Sequence, residues 1–298
     1  MFSILMPAYN EEENVAAAIH SILNQSYRDI ELIVVDDGSE DRTWEIISEI
    51  SKTDNRLKVF HPGKLGKNGA INFAKEQSSG EWFSIFAADD IMEPGILEKW
   101  HAITESYEPH NQDIVIASRI RMFATEKKYR VFDGLEIPKK KNEVCKSGAA
   151  FLATRKTMEQ VFPIPLDFPN EDGWTKLYFA NLVDEFVPCP EVCVNYRIHD
   201  GNSLNKKAKF REFNEKFHKR SIVSKAFLDK YRARLSQEQI DKLSSTYLLE
   251  DARYHGKTFR ILFFKNINLK SKLRALFFSN PVLYNIKVGL SRFFLGRS

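Results

Sequence analysis

Residues 30–39 read Ile30-Glu31-Leu32-Ile33-Val34-Val35-Asp36-Asp37-Gly38-Ser39, a near-continuous apolar run that stops in a cluster of turn formers. Such a run suits a strand buried on both faces of a parallel sheet. Asp and Gly end it because they favour turns and helix caps. The same grammar extends on either side. Phe2 to Met6 is a short apolar run halted by Pro7, and Asn10 with Glu13 three residues on has the spacing of a capping box. Val15, Ile19, Ile22 and Leu23 then recur at helical spacing. Trp44, Ile47 and Ile50 mark a second helix, Leu57–Phe60 a third strand and Gly69–Ser78 a third helix ended by Gly80. Trp82–Phe86 reads as a fourth strand, Pro94 opens a helix towards Tyr107, and Asp113–Ala117 reads as a fifth strand. The alternation predicts an α/β fold with a mostly parallel central sheet and helices on both faces.

From Arg119 to Arg197 the pattern is less regular, and Lys139-Lys140-Lys141 reads as a solvated loop. From about Lys206 it turns helical, with Phe210, Phe213, Phe217, Ile222, Phe227 and Leu228 at helical spacing. The expected organisation is an α/β domain over residues 1–205 and a C-terminal helical region over 206–298. The candidate boundary lies between Asn202 and Lys207.

The chain has 298 residues, 43% hydrophobic and 28% charged, which excludes disordered and disulfide-rich classes. Cys145, Cys189 and Cys193 are too few and too unevenly spaced for a disulfide framework or a zinc site, and read as small core residues of a reducing compartment. No signal peptide or stretch of about 18 apolar residues is found, so the expected location is cytoplasmic, or on a membrane without crossing it. The net charge of +4 conceals an asymmetry. Residues 257–298 hold nine Lys and Arg and no Asp or Glu, so residues 1–256 carry −5.

In open α/β sheets, ligands bind beyond the carboxyl ends of the strands. Three polar clusters fall there: Pro7-Ala8-Tyr9-Asn10, Asp36-Asp37-Gly38-Ser39 and Ala88-Asp89-Asp90. Turn and cap chemistry accounts for any one of them. Three at corresponding ends of neighbouring strands point to one crevice. Helix N-termini there suit a phosphate, and paired carboxylates beside a phosphate call for a bridging divalent cation. No Walker-type Gly-Lys-Ser/Thr loop and no Gly-x-Gly-x-x-Gly follows the first strand, which argues against the common NTPase and dinucleotide sites.

These elements resemble family 2 glycosyltransferases, inverting enzymes of GT-A fold that use nucleotide-sugars. The resemblance rests on six features in order over residues 2–204. They are Pro7-Ala8-Tyr9-Asn10 with Glu11; Val35 to Ser39 with Asp41 and Thr43; Gly66, Ala70 and Asn72; Gly80-Glu81 with the acidic turn Asp89-Asp90; Glu171-Asp172; and Tyr196-Arg197-Ile198-His199. The resemblance implies a Rossmann-like GT-A domain that transfers a sugar from a UDP-sugar to a glycan acceptor, lipid-linked, in cell-envelope polysaccharide assembly. It implies that Pro7, Tyr9 and Glu11 line the base and ribose pocket, that Asp37 accepts from the base, and that Asp36 orders the same turn. Asp89 would ligate Mn2+ or Mg2+, with His199 as second metal or diphosphate contact. Asp90 would lie beside the ribose or sugar, with Asn72 and Lys67 on the nucleotide side. Asp172, with Glu171 beside it, would be the general base. These two also fit the acidic first turn of a helix. Ser147-Gly148-Ala149-Ala150 would pass beneath the donor sugar or simply pack closely.

One departure stands out: Ala87 occupies the place where the family's Asp-x-Asp-Asp turn has its first Asp. It motivates an alternative, a catalytically inactive nucleotide-binding scaffold anchored by the basic tail. In that tail, basic residues interleave with Phe259, Phe263, Phe264, Phe277, Phe278, Phe293 and Phe294, the pattern of a segment lying on a membrane surface. Packing of those aromatics on the catalytic domain is the other reading. The expected place is the inner face of the cell membrane. A homodimer through the C-terminal helices is compatible with this reading. No nucleic-acid partner is expected, because no helix-turn-helix, zinc or RNP signature accompanies the charge.

Overall fold

The computed structural model describes residues 1–145, 150–199, 209–264 and 267–294, with side-chain packing described through residue 288. The chain divides into two compact units, residues 1–202 and 203–298. The expected boundary segment between Asn202 and Lys207 and the residues Ser147, Gly148 and Ala149 lie outside the described residues.

The first unit is built on one sheet. Its strands are β1 (Phe2–Ala8), β2 (Ile30–Asp36), β3 (Leu57–Phe60), β4 (Trp82–Ile85), β5 (Ile91–Met92), β6 (Ile114–Ala124), β7 (Glu136–Ile137), β8 (Phe151–Thr154) and β9 (Glu185–Ile198). They lie in the order β3-β2-β1-β4-β8-β6-β9-β5, with β7 on β6. The helices are α1 (Val15–Leu23), α2 (Thr43–Ser51), α3 (Lys67–Glu76), α4 (Ile96–Thr104), α5 (Arg155–Val161) and α6 (Asp172–Asn181). From β3 to β4 all pairing is parallel; β8 is antiparallel to both β4 and β6. The α/β alternation expected through Ala117 is present, and beyond β4 the sheet becomes mixed.

Every residue of β1 and β2 is buried, as expected of central parallel strands covered on both faces. Their register pairs Phe2 with Ile30 and Ala8 with Asp36, so the turns after both strands emerge side by side. At the opposite end a buried carboxylate ties three strands together. Glu31 accepts from Lys58 Nζ at 2.6 Å, from Ser79 N at 2.6 Å and from Gly80 N at 3.0 Å. Burial alone would raise its pKa, but Lys58, Ser3 and the two amides outweigh burial and hold it at about 2. Gly80 is required there, because a Cβ would stand 2.3 Å from Ser3 Oγ. The thiols of Cys189 and Cys193 are buried and those of all three cysteines are free. Burial pushes Cys145 up to about 11 and Cys193 well above the usual thiol value, which makes both unreactive.

Two features differ from the sequence expectation. The irregular middle contains two long strands, β6 and β9, paired in parallel from Ile114/Glu185 to Ala124/Ile198. Register shifts between Ala117 and Ile120, together with Pro188 and Pro190 in β9, break the alternation that would have revealed them. Asn10 does not cap α1, whose N-cap is Asn14. Asn10 instead adopts φ 54°, and its Oδ1 accepts from Glu40 N at 2.8 Å. The amides ahead of α1 are served from the neighbouring turn: Glu11 N donates to Thr43 Oγ1 at 2.7 Å and Glu12 N to Asp41 Oδ2 at 3.1 Å.

The second unit consists of α7 (Phe210–Ser221), α8 (Val223–Tyr231), α9 (Gln237–Tyr254), α10 (Thr258–Leu262), α11 (Leu269–Phe277) and α12 (Pro281–Phe294). Ser236 and Gln239 form a full capping box at the start of α9. At the far end of that helix, Arg253 is buried against Glu250, with Nε–Oε2 at 2.7 Å and Nη2–Oε1 at 2.6 Å. No helix among the described residues is long and apolar enough to cross a membrane.

Candidate active site

The turns after β1 and β2 interlock. Asp36, fully buried, accepts from Ser39 N at 3.2 Å and from the Ser39 hydroxyl, and lies 2.6 Å from His61 Nδ1. These contacts tie Asp36 to its own turn and to the loop after β3. Asp37 reaches the loop between β3 and α3. Its Oδ1 accepts from Leu65 N at 2.6 Å and Gly66 N at 2.8 Å, and its Oδ2 pairs with Lys64 Nζ at 3.3 Å. The same ammonium stands 3.0 Å from the centroid of the exposed Tyr9 ring, a cation–π contact. Gly38, at φ 73°, lets the Lys64 backbone approach, since a Cβ would meet Lys64 N at 3.4 Å. Pro7 lies at the end of β1, and Glu11 just beyond it accepts from Asn14 Nδ2 at 2.9 Å. Burial raises the Glu11 pKa; Asn14 opposes that, Asp89 adds to it, and His199 and Arg197 oppose it.

The acidic turn after β4 is closed by the end of β9. β5 pairs antiparallel with β9 through Ile91/Asn195 and Met92/Val194. This brings Arg197 and His199 back over Asp89 and Asp90. Arg197 N donates to Asp90 Oδ1 at 2.9 Å, and Arg197 Nε donates to the Asp89 carbonyl at 2.8 Å. His199 Nε2 lies 3.0 Å from Asp89 Oδ2. Asp90 is buried, and burial, reinforced by the Asp89 charge, holds its carboxyl well above the usual range against Arg197 and Lys67.

The third cluster joins α3 to α6. Lys67, first residue of α3, donates to Glu171 Oε1 at 3.1 Å. It lies 2.9 Å from Oε2, although the angle there makes no hydrogen bond. Burial pulls the Lys67 pKa down, but Glu171, Asp172 and Asp89 outweigh it and hold it above the usual lysine value. The Lys67 side chain remains 42% exposed, so its charge faces the cleft rather than the core. Asp172 opens α6, and the Glu171 carbonyl accepts from Trp174 N and Thr175 N, each at 3.0 Å.

Asn72 does not join these clusters. Its amide donates to Ile164 O at 2.9 Å, and its Oδ1 accepts from Ile164 N at 2.8 Å. The neighbouring Asn68, buried, donates to Pro165 O at 3.0 Å and Phe168 O at 2.9 Å. Together they pin the segment leading to Glu171-Asp172 against α3. Three residues of the site carried no sequence signal of their own: His61, Lys64 and Asn68. Ser39 and Arg197 stood in quoted motifs without a role. Among the described residues no group of three or more His, Cys, Asp and Glu side chains converges as a metal cage.

The sequence model described as Glycosyl transferase family 2 matches residues 3–186. The chain belongs to this family. As a family member it is a transferase, acting in glycosyl transfer. An uncharacterized glycosyltransferase of Haemophilus influenzae is 25% identical over 301 residues, covering 87% of this chain and 92% of that protein. A Campylobacter jejuni protein, named GalNAc(5)-diNAcBac-PP-undecaprenol beta-1,3-glucosyltransferase, is 37% identical over 97 residues, 32% of this chain and 31% of that one. The crystal structure of S. aureus TarS 1-349 in complex with UDP-GlcNAc superposes with a TM-score of 0.61 at 19% identity, covering 93% of this chain and 80% of that one. At that identity the likeness shows the GT-A fold.

Proposed function

We propose that this family 2 glycosyltransferase moves a sugar from a UDP-sugar, with inversion, to a hydroxyl of a lipid-linked glycan acceptor in cell-envelope polysaccharide assembly. It would work on the inner face of the membrane, meeting that surface through residues 257–298. The observation that carries the reading is the meeting of Asp89, Asp90 and His199 with the Lys67–Glu171 pair at the carboxyl ends of the strands. The UDP-GlcNAc complex of the TarS neighbour supports the donor class, and the name of the Campylobacter relative supports a lipid-linked acceptor.

Each residue then has a task. Tyr9 offers a ring for the base, with Pro7 and Glu11 beside it, and Asp37 Oδ2, paired to Lys64, is the oxygen a base N–H would take. Asp89 and His199, whose carboxylate oxygen and imidazole nitrogen lie 3.0 Å apart, are the residues that would hold a divalent ion, Asp89 suiting Mn2+ or Mg2+ and His199 suiting Mn2+ or a diphosphate contact. When bound, that ion would offset negative charge gathering on the departing diphosphate. Ala87 adds no ligand, so Asp89 would carry the metal's carboxylate contact. Lys67 adds a fixed positive charge facing the same cleft. Asp172 would take the acceptor proton as the acceptor oxygen bonds to the anomeric carbon and the bond to the diphosphate breaks. Glu171, tied to Lys67, would hold the start of α6 in place.

Calorimetric titration with UDP, with and without Mn2+, tests the donor site, with CDP and GDP as controls. UDP-selective, metal-dependent binding that Asp89→Ala abolishes is the expected result. Asp172→Asn should keep that binding and lose about 10²- to 10⁴-fold in transfer rate. No nucleotide binding under either condition would overturn the reading in favour of an inactive scaffold.

A further inference from the structure

The second unit exposes more large apolar surface than its own packing requires. In α10, Ile261 alone is buried, within a small cluster of Leu249, Ala252 and Ala275. Phe259 and Phe263, four residues apart on one stripe, are 83% and 79% exposed, and Leu262 between them is also exposed. α11 packs on α10, and Lys272 Nζ donates to Leu262 O at 3.3 Å. On α11 a second stripe, Leu269 and Leu273, is exposed at the same four-residue spacing. Lys257, Arg260 and Lys270 stand exposed beside these stripes, and residues 257–298 contain no acid.

Three occupants of such a surface compete. A second copy of the chain in a two-fold dimer would bring the patch against itself, and with it Lys257, Arg260 and Lys270 against like charges. A duplex nucleic acid would use the charges and leave Phe259 and Phe263 without a role, and a single strand would need a basic groove around them, whereas they stand on a short exposed helix. An anionic bilayer takes both: phenylalanines enter the boundary below the headgroups while Lys and Arg remain among the phosphates. We propose that α10, supported by α11, is the wedge that seats the helical unit in an anionic membrane, with Phe259, Leu262 and Phe263 entering and Arg260 and Lys270 holding the headgroups. This deepens the membrane part of the reading above and rests on it, independently of the donor site.

Co-sedimentation of the full chain with vesicles tests it, comparing phosphatidylcholine containing phosphatidylglycerol with phosphatidylcholine alone. The wild type should bind the anionic vesicles, and raised salt should weaken binding. Phe259→Ala with Phe263→Ala should weaken it by about tenfold or more, at unchanged far-ultraviolet dichroism and unchanged UDP titration. Arg260→Gln with Lys270→Gln should weaken anionic binding and spare the small affinity for the neutral vesicles. Double-Phe binding equal to wild type would overturn the wedge while leaving another membrane contact open. Failure of the wild type to bind any vesicle would overturn both the wedge and the membrane reading, without touching the UDP result. A concentration-dependent dimer abolished by the Phe changes, with vesicle binding unaltered, would overturn the wedge in favour of a second copy.

Discussion

All of β1 and β2 is buried, whereas α7, a helix of twelve residues, buries none of its side chains fully. The two regions strike a different balance of forces. The parallel strands sit among Ile4, Met6, Ile19, Leu32, Val34 and Trp100, and their cohesion comes mainly from apolar area removed from water. The helical unit also buries apolar side chains, among them Phe227, Leu228, Tyr231 and Leu243, and around α7 it adds directed contacts. Arg253 reaches Glu250, Asn214 and the Phe278 carbonyl, and its guanidinium stands 4.7 Å from the Phe217 ring. Arg274 lies 5.3 Å from the same ring, and His218 stacks on Tyr254 at 3.7 Å. A hydrocarbon core tolerates volume-conserving exchange, while a buried ion pair fails when one partner goes.

The sharpest test of that contrast is Arg253→Met. It removes the guanidinium from the buried Glu250 carboxylate, whose Oε1 keeps a 3.1 Å contact with His218 Nδ1, and should cost about 3 kcal/mol there. Hydrogen exchange should show α7 and α9 opening while β1 and β2 keep their protection. Equal loss in both regions would remove the distinction.

Next in size is the carboxylate at the base of the sheet. Glu31 falls from an ordinary 4.5 to about 2 on folding, so its ionised form stabilises the fold above pH 4.5. That contribution, about 3 kcal/mol, should drain away as pH falls from 4.5 towards 2. Denaturant titrations of Glu31→Gln should show lower stability at pH 7 and a flatter acid dependence than wild type. A variant that matched wild type at both ends would show that apolar burial alone joins these strands.

The smallest expected effect lies at the loop that carries Glu171-Asp172. Asn72→Ala removes two bonds to Ile164 and leaves its amide and carbonyl unserved, for about 1–3 kcal/mol. Because the loop precedes Asp172, kcat should fall with little change in KM for the donor, and a parallel change in both would place Asn72 at the nucleotide after all.

Legibility followed the same divide of forces. Ile30–Val35 and its neighbours could be read because strands buried on both faces leave uninterrupted apolar runs between Asp and Gly stops. Asp36, Asp37, Asp89 and Asp90 stood out because they end or follow those strands, whereas Glu171 and Asp172 open a helix and were singled out by the family resemblance. β6 and β9 escaped because the second half of β6 and most of the first half of β9 are not fully buried, and a bulge shifts their register near Arg119. Asn10 has the local spacing of a cap, yet Asp41 and Thr43, about thirty residues on, serve those amides. Lys64 and His61 entered through the tertiary approach of a loop, which no local pattern encodes. Asn72 showed its motif and concealed its target, since Ile164 lies 92 residues away.

The closure of the Asp89-Asp90 turn by Arg197 and His199 also sets an order of events at the ribosome. The histidine lies 110 residues downstream of the aspartate it meets. At ordinary elongation rates the emerging chain spends roughly 5–20 s with the first four strands made and that turn still lacking both partners. Within the first unit, therefore, the acidic turn gains its partners only once β9 has been made, well after the strands it follows.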